Sequence, residues 1–445
     1  MKSLRELVRY PTAVIGLVII AALIGLSIYA IVSMPYREAV RLWRGGEDVW
    51  YHTPKNAAPI WMNVFSRQNL PETIWMSSRD ESVDKTVEDA TGEMKNIDFS
   101  FTFEYPYDGL PRELSIFFDA EYDEKPPHVS LTWSTPDGRE IRVADKSVKG
   151  SETYRVSQDD RLKRRLGGQG VPHQGLFAVD PRAEVLVPLQ GTYTLQISAI
   201  TFEPGADVDA ELVIYGQVHG LAGTDHRRRE LSVALLWGTP VALAFGLLAA
   251  VGTSLTTMII AGVGTWFGGW VDGVIQRITE VNLILPTLPI LIMVGTFYSR
   301  SIWLMLGVLI LLSIFGGGIK TYRAIFLQVK ESPYIEAAQA YGASDGRLIF
   351  RYLIPRIIPT LLPNLVTLVP SFVFTEAALA LLGLGDPTLP TWGKVIYGAY
   401  SFGALYHGFY YWMLEPSILL MVTGLAFSLL GFSLDRIFNP RLRGM

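Results

Sequence analysis

The chain has 445 residues, of which 49% are hydrophobic, 18% are charged and none is cysteine. Soluble domains carry about 25% charged residues, so much of this chain is too apolar for a soluble protein. The lack of cysteine excludes disulfides, thiolate metal sites and cysteine nucleophiles. A formal net charge of −4, without a dense stripe of Lys and Arg, argues against nucleic acid as a partner.

Uncharged intervals indicate where the chain crosses a membrane. The first lies between Arg9 and Arg37, and the others occupy 231–271, 281–299, 301–319, 357–375 and 416–434. The last four each contain 19 residues, close to the ~20 that a helix needs to span the hydrocarbon. The interval 231–271 has 41 residues and holds either two crossings or one long helix.

The distribution of basic residues decides between these alternatives. Outside 37–222, which itself holds 20 Lys and Arg, one crossing in 231–271 places 13 Lys and Arg on the side of the N-terminus against 5 on the other side, and two crossings invert this ratio. Because basic residues are enriched on the cytoplasmic side, we predict six transmembrane helices in the inner (plasma) membrane, with both termini cytoplasmic and residues 37–222 extracytoplasmic. The extra length of 231–271 predicts an elbow helix near Leu231–Trp237. A cleaved signal peptide is disfavoured, because its apolar region would span only ~7–15 residues.

Residues 37–222 show the alternation that is typical of β-strands. Apolar residues recur at every second position in 99–105, 114–122 and 129–133, and turn residues separate these runs. This pattern predicts half-buried strands, and many short strands predict a mostly-β, sandwich-like domain. Its histidines lack metal-ligand spacing, so we predict no catalytic residue, no metal and no cofactor. The domain either docks partners of the chain or serves as a passive cap.

The segment 331–355 predicts two short helices at an angle on the cytoplasmic surface. Ser332 can cap a helix that begins at Pro333, and Gly342 can end it. Ser344 can cap a second helix that begins at Asp345. ATP hydrolysis by the chain itself is not expected, because the string 316–321 places Ile where a phosphate-binding loop needs Gly before Lys.

The same segment resembles the EAA loop of ABC importer permeases, with Glu336-Ala337-Ala338 and Gly342 at the family's spacing and Ile354-Pro355 following. Other motifs resemble the C-type permease subunit of dipeptide, oligopeptide and nickel importers. They are Gly223-Thr-Asp225, Gly268-Gly-Trp-Val-Asp272, the run 376–385, Thr391-Trp-Gly393 and Asn439-Pro-Arg441. Two features depart from the family: its second Gly after Gly223-Thr-Asp225 is missing, and the insert at 37–222 is unusually large.

The resemblance implies a fold and a set of partners. The fold is a polytopic α-helical membrane protein of the type I importer kind, with an inserted extracytoplasmic mostly-β domain. Its parts are 1–36 with the first transmembrane helix, the insert 37–222, and a permease core at 223–445 with five further helices. The partners are the lipid bilayer, a paralogous (B-type) permease, two ABC ATPase subunits and an extracytoplasmic solute-binding protein. The residues assigned to ATPase coupling are Glu336, Ala337, Ala338, Gly342, Ser344 and Asp345.

Three further residues are candidates for pathway or structural roles. Glu376 is the lone carboxylate between Ile357 and Gly385, and intramembrane carboxylates generally face the interior of the helix bundle. A structural hydrogen bond to a neighbouring helix is favoured over direct substrate contact. Pro370, in a proline-rich fifth span, indicates a bent helix along the path, and Pro286 is a further candidate of this kind.

The sequence thus predicts a non-catalytic permease subunit that forms half of a pathway for di- or oligopeptides. The same transporter type for oligosaccharides or nickel is an alternative. Two rivals of other classes stay open: a membrane-anchored receptor whose outer β-domain binds the ligand, and a self-contained channel or secondary transporter. The first predicts ligand affinity in the insert alone, and the second predicts transport without ATPase partners.

Overall fold

A computed structural model describes residues 10–81, 83–89, 94–167 and 170–438. The chain divides into a β-rich unit, Gly45–Ser232, and a helical unit made of Met1–Arg44 and Val233–Met445. Both units are considered separately below. The predicted motif at 439–441 and the basic residues before position 10 lie outside the described residues. The domain boundaries 36/37 and 222/223 stay predictions.

The β-rich unit contains two antiparallel sheets. One has four strands in the order β1-β9-β4-β7, and the other has five in the order β2-β3-β8-β5-β6. The strands are β1 (Ile74–Ser77), β2 (Asp84–Asp89), β3 (Lys95–Tyr105), β4 (Glu113–Glu121), β5 (His128–Ser134), β6 (Glu140–Ser147), β7 (Ser151–Arg155), β8 (Gly191–Thr201) and β9 (Asp207–Tyr215). Short 3₁₀ turns lie at Ile60–Val64 and Val156–Gln158.

The core of this unit lies between the inner faces of the two sheets. Phe99, Phe101 and Phe103 of β3 point into it, as do Ile116 and Phe118 of β4 in the other sheet. Alternate residues of one strand face opposite sides of a sheet, so the period-2 apolar runs become the two inner faces of a sandwich. The prediction of a separate β-rich region is confirmed.

The helical unit contains several long apolar helices. Within the described residues the helices begin with α1 (Pro11–Ser33), α2 (Tyr36–Arg44), α3 (Asp160–Arg165) and α4 (Pro172–Phe177), of which the last two belong to the β-rich unit. Then follow α5 (Leu231–Phe267), α6 (Gly269–Ile284), α7 (Thr287–Phe297), α8 (Ile302–Ile314), α9 (Gly317–Lys330), α10 (Pro333–Ala340), α11 (Asp345–Leu384), α12 (Trp392–Phe402) and α13 (Tyr410–Phe438).

Within the described residues, four helices are long and apolar enough to cross a membrane: α1, α5, α11 and α13. The pairs α6 with α7 and α8 with α9 are bent by 78° and 45°, and the number of spans rises to six if each bent pair is one span. The prediction of several apolar helices is confirmed.

The predicted elbow helix near Leu231–Trp237 is wrong as a separate element. α5 continues without interruption for 37 residues, although Pro240 lies inside it. A proline removes one backbone hydrogen bond, but packing from α12 holds the same turns. The indole Nε1 of Trp392 donates to the Leu235 carbonyl at 2.9 Å, and its ring lies so close to Gly238 that a Cβ there would be 2.3 Å from Cδ1.

An unusual turn lies in the β-rich unit just before α5. The carboxylate of the fully buried Asp225 accepts the backbone N–H groups of Arg227 and Arg229. Arg228 stands at the position of the family's second Gly and has φ +68°, a conformation that favours glycine. Its guanidinium donates to the Thr53 carbonyl at 2.7 Å and to Glu113 at 2.5 Å. These contacts offset the strain of the left-handed backbone.

Replacing Arg228 with glycine should destabilise the β-rich unit, although it relieves the backbone strain. Breaking a nearly buried ion pair costs about 3–5 kcal/mol and removing the strain returns about 1, so a net loss of about 2–4 kcal/mol is expected. Pulse proteolysis of residues 45–232 in the full-length purified chain measures this loss. Arg227→Gly, at an exposed neighbour, is the control and should be nearly neutral. Equal or greater resistance of Arg228→Gly would contradict the argument.

Candidate functional site

The helix α10 has the ends that the sequence predicts. It begins at Pro333, directly after Ser332. At its other end Gly342 has φ +76°, the Gly342 N–H donates to the Gln339 carbonyl at 2.8 Å, and the Ala343 N–H donates to the Ala338 carbonyl at 3.1 Å. This pair of bonds is the Schellman motif, which stops a helix abruptly. α10 is therefore a short element with a sharply defined end.

Two details of this segment differ from the prediction. Ser332 and Ser344 hold the N-cap positions with extended backbone, but neither side chain makes a capping hydrogen bond. The second helix is also not short, because α11 runs from Asp345 to Leu384. A π-helical turn at Leu348–Leu353 precedes Pro355. A π-helical turn is wider than an α-helical one and accommodates residues that interrupt the regular backbone hydrogen bonds of a helix.

Both ends of α10 are tied to the C-terminal end of α5. Before α10, the Lys330 ammonium donates to the carbonyls of Thr265 at 3.1 Å and Trp266 at 2.9 Å. A cation is favoured there because the last carbonyls of a helix carry partial negative charge. After α10, the Asp345 carboxylate accepts the Trp266 indole N–H at 3.0 Å. Because the residues that flank α10 on both sides are bonded to α5, a displacement of α10 acts directly on the end of α5.

A second anchor joins α9, which leads into α10, to α6. The Arg323 guanidinium binds the Asp272 carboxylate through two nitrogens, with Nε–Oδ1 2.8 Å and Nη2–Oδ2 2.5 Å. Two-point contacts of this kind fix orientation as well as distance. Sequence reasoning missed both anchors. The available signal was that Asp272 and Arg323 are opposite charges on segments predicted to lie on the cytoplasmic side.

One side of α10 is packed and the other is bare. Ile335 is 1% exposed and belongs to a core cluster with residues of α9 and α11. Glu336 is exposed, and Tyr341 is 92% exposed. Of the predicted coupling residues, Ala338 is half-buried and the others are exposed. We call the bare side of 333–347 the coupling surface; its exposed aromatic and small residues leave it open to a partner.

Glu376 lies at a tight contact between α11 and α12. It is 6% exposed, and its carboxylate lies near the side chain of Thr391, the residue that caps α12. Gly393 lies so close that a Cβ there would be 2.6 Å from the Ala380 Cβ and 2.8 Å from the Ala377 Cα. The motifs 376–385 and 391–393 therefore dock one helix against the other, which favours the structural role for Glu376.

The two candidate prolines have different surroundings. Pro286 occupies the break between α6 and α7, where the two helices meet at 78°. Pro370 is buried inside α11, which continues past it. Pro286 thus stands where a span changes direction, whereas Pro370 does not end its helix.

The C-terminal half of the chain matches known transport proteins. Residues 235–444 match the family described as binding-protein-dependent transport system inner membrane component. Over 223 residues, 49% of this chain, it is 30% identical to the probable peptide ABC transporter permease protein y4tQ of Sinorhizobium fredii, of which 74% is covered. The chain belongs to this family of transport permeases.

Two other relatives are aligned with the permease over different shares of their own length. It is 29% identical to the oligopeptide transport system permease protein OppC of Bacillus subtilis over 225 residues, which are 50% of the permease and 72% of that protein. It is also 29% identical to the peptidoglycan transport system permease protein YejE of Agrobacterium fabrum over 175 residues, which are 39% of the permease and 46% of that protein. The permease thus spans less than half the length of YejE.

These matches confirm the resemblance to the C-type subunit of oligopeptide and dipeptide importers. They also confirm that the permease is a non-catalytic, multi-pass membrane component, since ATP hydrolysis belongs to the partner ATPases of such transporters. The β-rich unit precedes the matched region and is compatible with the predicted insert. The roles of the coupling residues, of Glu376 and of the two prolines stay predictions.

Proposed function

We propose that this permease is one of two transmembrane subunits of a heteromeric ABC importer for di- or oligopeptides. The observation that carries the proposal is the coupling surface, a short helix with one bare side whose two ends are fixed to α5 through Lys330 and Asp345. An isolated channel or receptor has no use for such an element. The relatives include peptide, oligopeptide and dipeptide permeases, which favours a peptide as the solute.

Coupling follows from the geometry of the anchors. An ATPase subunit that closes on ATP pushes α10, in which Glu336, Ala337 and Ala338 lie in the docked turn. The small side chain of the exposed Ala337 and the absence of a side chain at Gly342 allow close approach, and Glu336 orients the helix against the partner. Lys330 and Asp345 then transmit the push to the end of α5, and Arg323 transmits it to α6 through Asp272. The movement reaches two spans at once.

The topology of this proposal has six spans with both termini in the cytoplasm, and residues 37–222 lie outside. The basic residues of the chain outside 37–222 support it, with 13 on the inner side against 5 on the outer side. The bent pairs α6–α7 and α8–α9 each count as one span. A solute-binding protein then delivers the peptide on the side of the β-rich unit, next to the paralogous permease.

Uptake of a defined peptide tests the proposed function. In cells whose other peptide importers have been deleted, removal of the chain should reduce uptake of radiolabelled tri-alanine to background, and the wild-type chain should restore it. Uptake of free alanine is the control and should not change. Unchanged tri-alanine uptake would contradict the proposal, and loss of oligosaccharide or nickel uptake instead would identify the alternative solute.

A further inference from the structure

The helical unit contains an open cavity of about 500 Å³ whose wall is partly apolar and partly formed by hydroxyl and amide groups. Residues of α5, α6, α8, α9 and α11 line it. The hydrogen-bonding groups on its wall include Thr253, Ser254 and Thr257 of α5, Asn282 of α6 and Asn364 of α11. Among the lining residues that the structure describes, none carries a formal charge. A wall of hydroxyl and amide groups suits neutral polar ligands, because a charged group would lose its hydration there without gaining a counter-ion.

Two hydroxyl groups on this wall lack partners within the described part of the chain. They belong to Thr253 and Ser254, which are 6% and 2% exposed, and neither oxygen has a hydrogen-bond partner there. Helical hydroxyls elsewhere usually return to the carbonyl one turn earlier, as Thr423 does to Leu419 at 2.8 Å. A buried hydroxyl without a partner costs about 1–3 kcal/mol. The pair is therefore available to a hydrogen-bonding ligand.

The helix breaks of two spans open onto the same cavity. Leu285, at the 78° break between α6 and α7, lines it, and so does Gly316, at the 45° break between α8 and α9. Irregular backbone at membrane depth is tolerated where it is buried in protein or borders a water-filled cavity. Broken helices in corresponding segments also point to binding sites in membrane transporters.

Side chains of the wall satisfy the carbonyl groups near the second break. The Thr257 hydroxyl donates to the Ile314 carbonyl at 2.8 Å, and the Asn282 amide donates to the Leu312 carbonyl at 2.7 Å. These two side chains stabilise the broken backbone, and these hydrogen bonds already occupy their donor groups. Thr253 and Ser254 differ from them, since no such structural bond occupies their hydroxyls.

We propose that this cavity is a solvated binding site for the neutral amide groups of a passing peptide, with the hydroxyls of Thr253 and Ser254 as its hydrogen-bonding groups. The inference rests on the proposed peptide importer and names a site within this one subunit. Amide N–H and C=O groups match a wall that both donates and accepts hydrogen bonds. Charged termini and side chains of the peptide stay outside the uncharged wall.

Cysteine labelling tests the site without relying on transport, because the chain has no cysteine of its own. Thr253→Cys is introduced into the full transporter in lipid nanodiscs and treated with the small neutral reagent methyl methanethiosulfonate. Thr423→Cys, at a position that is 0% exposed and outside the cavity, is the matched control. We expect Thr253→Cys to react, tri-alanine to protect it, and Thr423→Cys to stay unmodified. A lack of reaction at 253 means a dry void, and a reaction without protection means no peptide site; either result overturns the proposal.

Uptake measurements separate this inference from the proposed function. At saturating tri-alanine and solute-binding protein, Thr253→Val combined with Ser254→Ala should lower the rate of uptake about tenfold, as expected for the loss of one or two hydrogen bonds along the path. Thr423→Val should leave the rate unchanged. If wild type imports tri-alanine and the double variant does so at the same rate, the cavity site is wrong while the importer stands. If wild type does not import tri-alanine, the proposed function fails, and the labelling result alone then decides on the site.

Discussion

Gly342→Trp should abolish ATP-driven uptake while the protein still inserts into the membrane. At this residue φ is +76°, and a Cβ would meet nothing within 4 Å, so the indole projects outward from the coupling surface and not into the protein. A bulky ring at the end of α10 keeps an ATPase groove from closing on Glu336 and its neighbours. The measurement is tri-alanine uptake together with ATPase activity of the purified complex, each at matched expression.

Gly342→Ala is the matched control for this variant. Any L-residue at positive φ is strained by about 1 kcal/mol, so alanine reproduces the backbone strain without the bulk. We expect Gly342→Ala to retain most of its uptake. An equal loss of uptake in both variants would mean that backbone strain, and not blocked docking, is responsible. Normal uptake by a well-expressed Gly342→Trp protein would show that this segment has no coupling role.

Single cysteines at Tyr341 and Tyr406 should label from opposite sides of the membrane. Both side chains are almost fully exposed, 92% for Tyr341 and 97% for Tyr406, so a difference in labelling reports the side and not the burial. Tyr341 ends α10, on the proposed inner side, and Tyr406 lies between α12 and α13, on the proposed outer side. An impermeant maleimide applied to intact cells should modify Tyr406→Cys and spare Tyr341→Cys.

A third cysteine extends the same test to the β-rich unit. Val185 is 77% exposed in this unit, and Val185→Cys should label from outside together with Tyr406→Cys. Permeabilised cells provide the control, since all three cysteines should react there. Labelling of Tyr341→Cys in intact cells would contradict the six-span topology, and protection of Val185→Cys in intact cells would contradict an extracytoplasmic β-rich unit.

Sequence reasoning succeeded where the determining physics is local. The end of α10 follows from the conformational freedom of Gly342, and the strand β3 follows from alternating burial of Phe99, Phe101 and Phe103. Both depend on residues within a few positions of each other. For this reason composition and spacing alone were enough to predict the bounds of α10 and the β character of the insert.

The features that the sequence did not reveal depend on distant residues. Proline is a local helix breaker, yet α11 continues past Pro359, Pro363 and Pro370, and the last two are buried among neighbouring residues. The anchors of α10 join Lys330 to Trp266 across 64 positions. Contacts at such separation leave no periodic trace in a single sequence.

Arg228 shows that tertiary contacts can stabilise a backbone conformation that the residue type itself disfavours. A left-handed turn favours Gly, which has no side chain. Arg228 adopts this conformation and is held there by bonds to Thr53 and Glu113 and a ring contact with Tyr215 at 4.2 Å. Spacing alone indicated a missing Gly, whereas the structure shows a left-handed turn at this position.

Mass spectrometry of proteins that co-purify with the full-length chain tests the central claim most directly. If the chain is half of an ABC importer pathway that couples through 331–355, wild type should bring down a second permease and ATPase subunits with phosphate-binding loops. Gly342→Trp should retain the second permease and lose the ATPases. Recovery of the wild-type chain without any ATPase, under conditions in which it still transports its solute, would contradict the account.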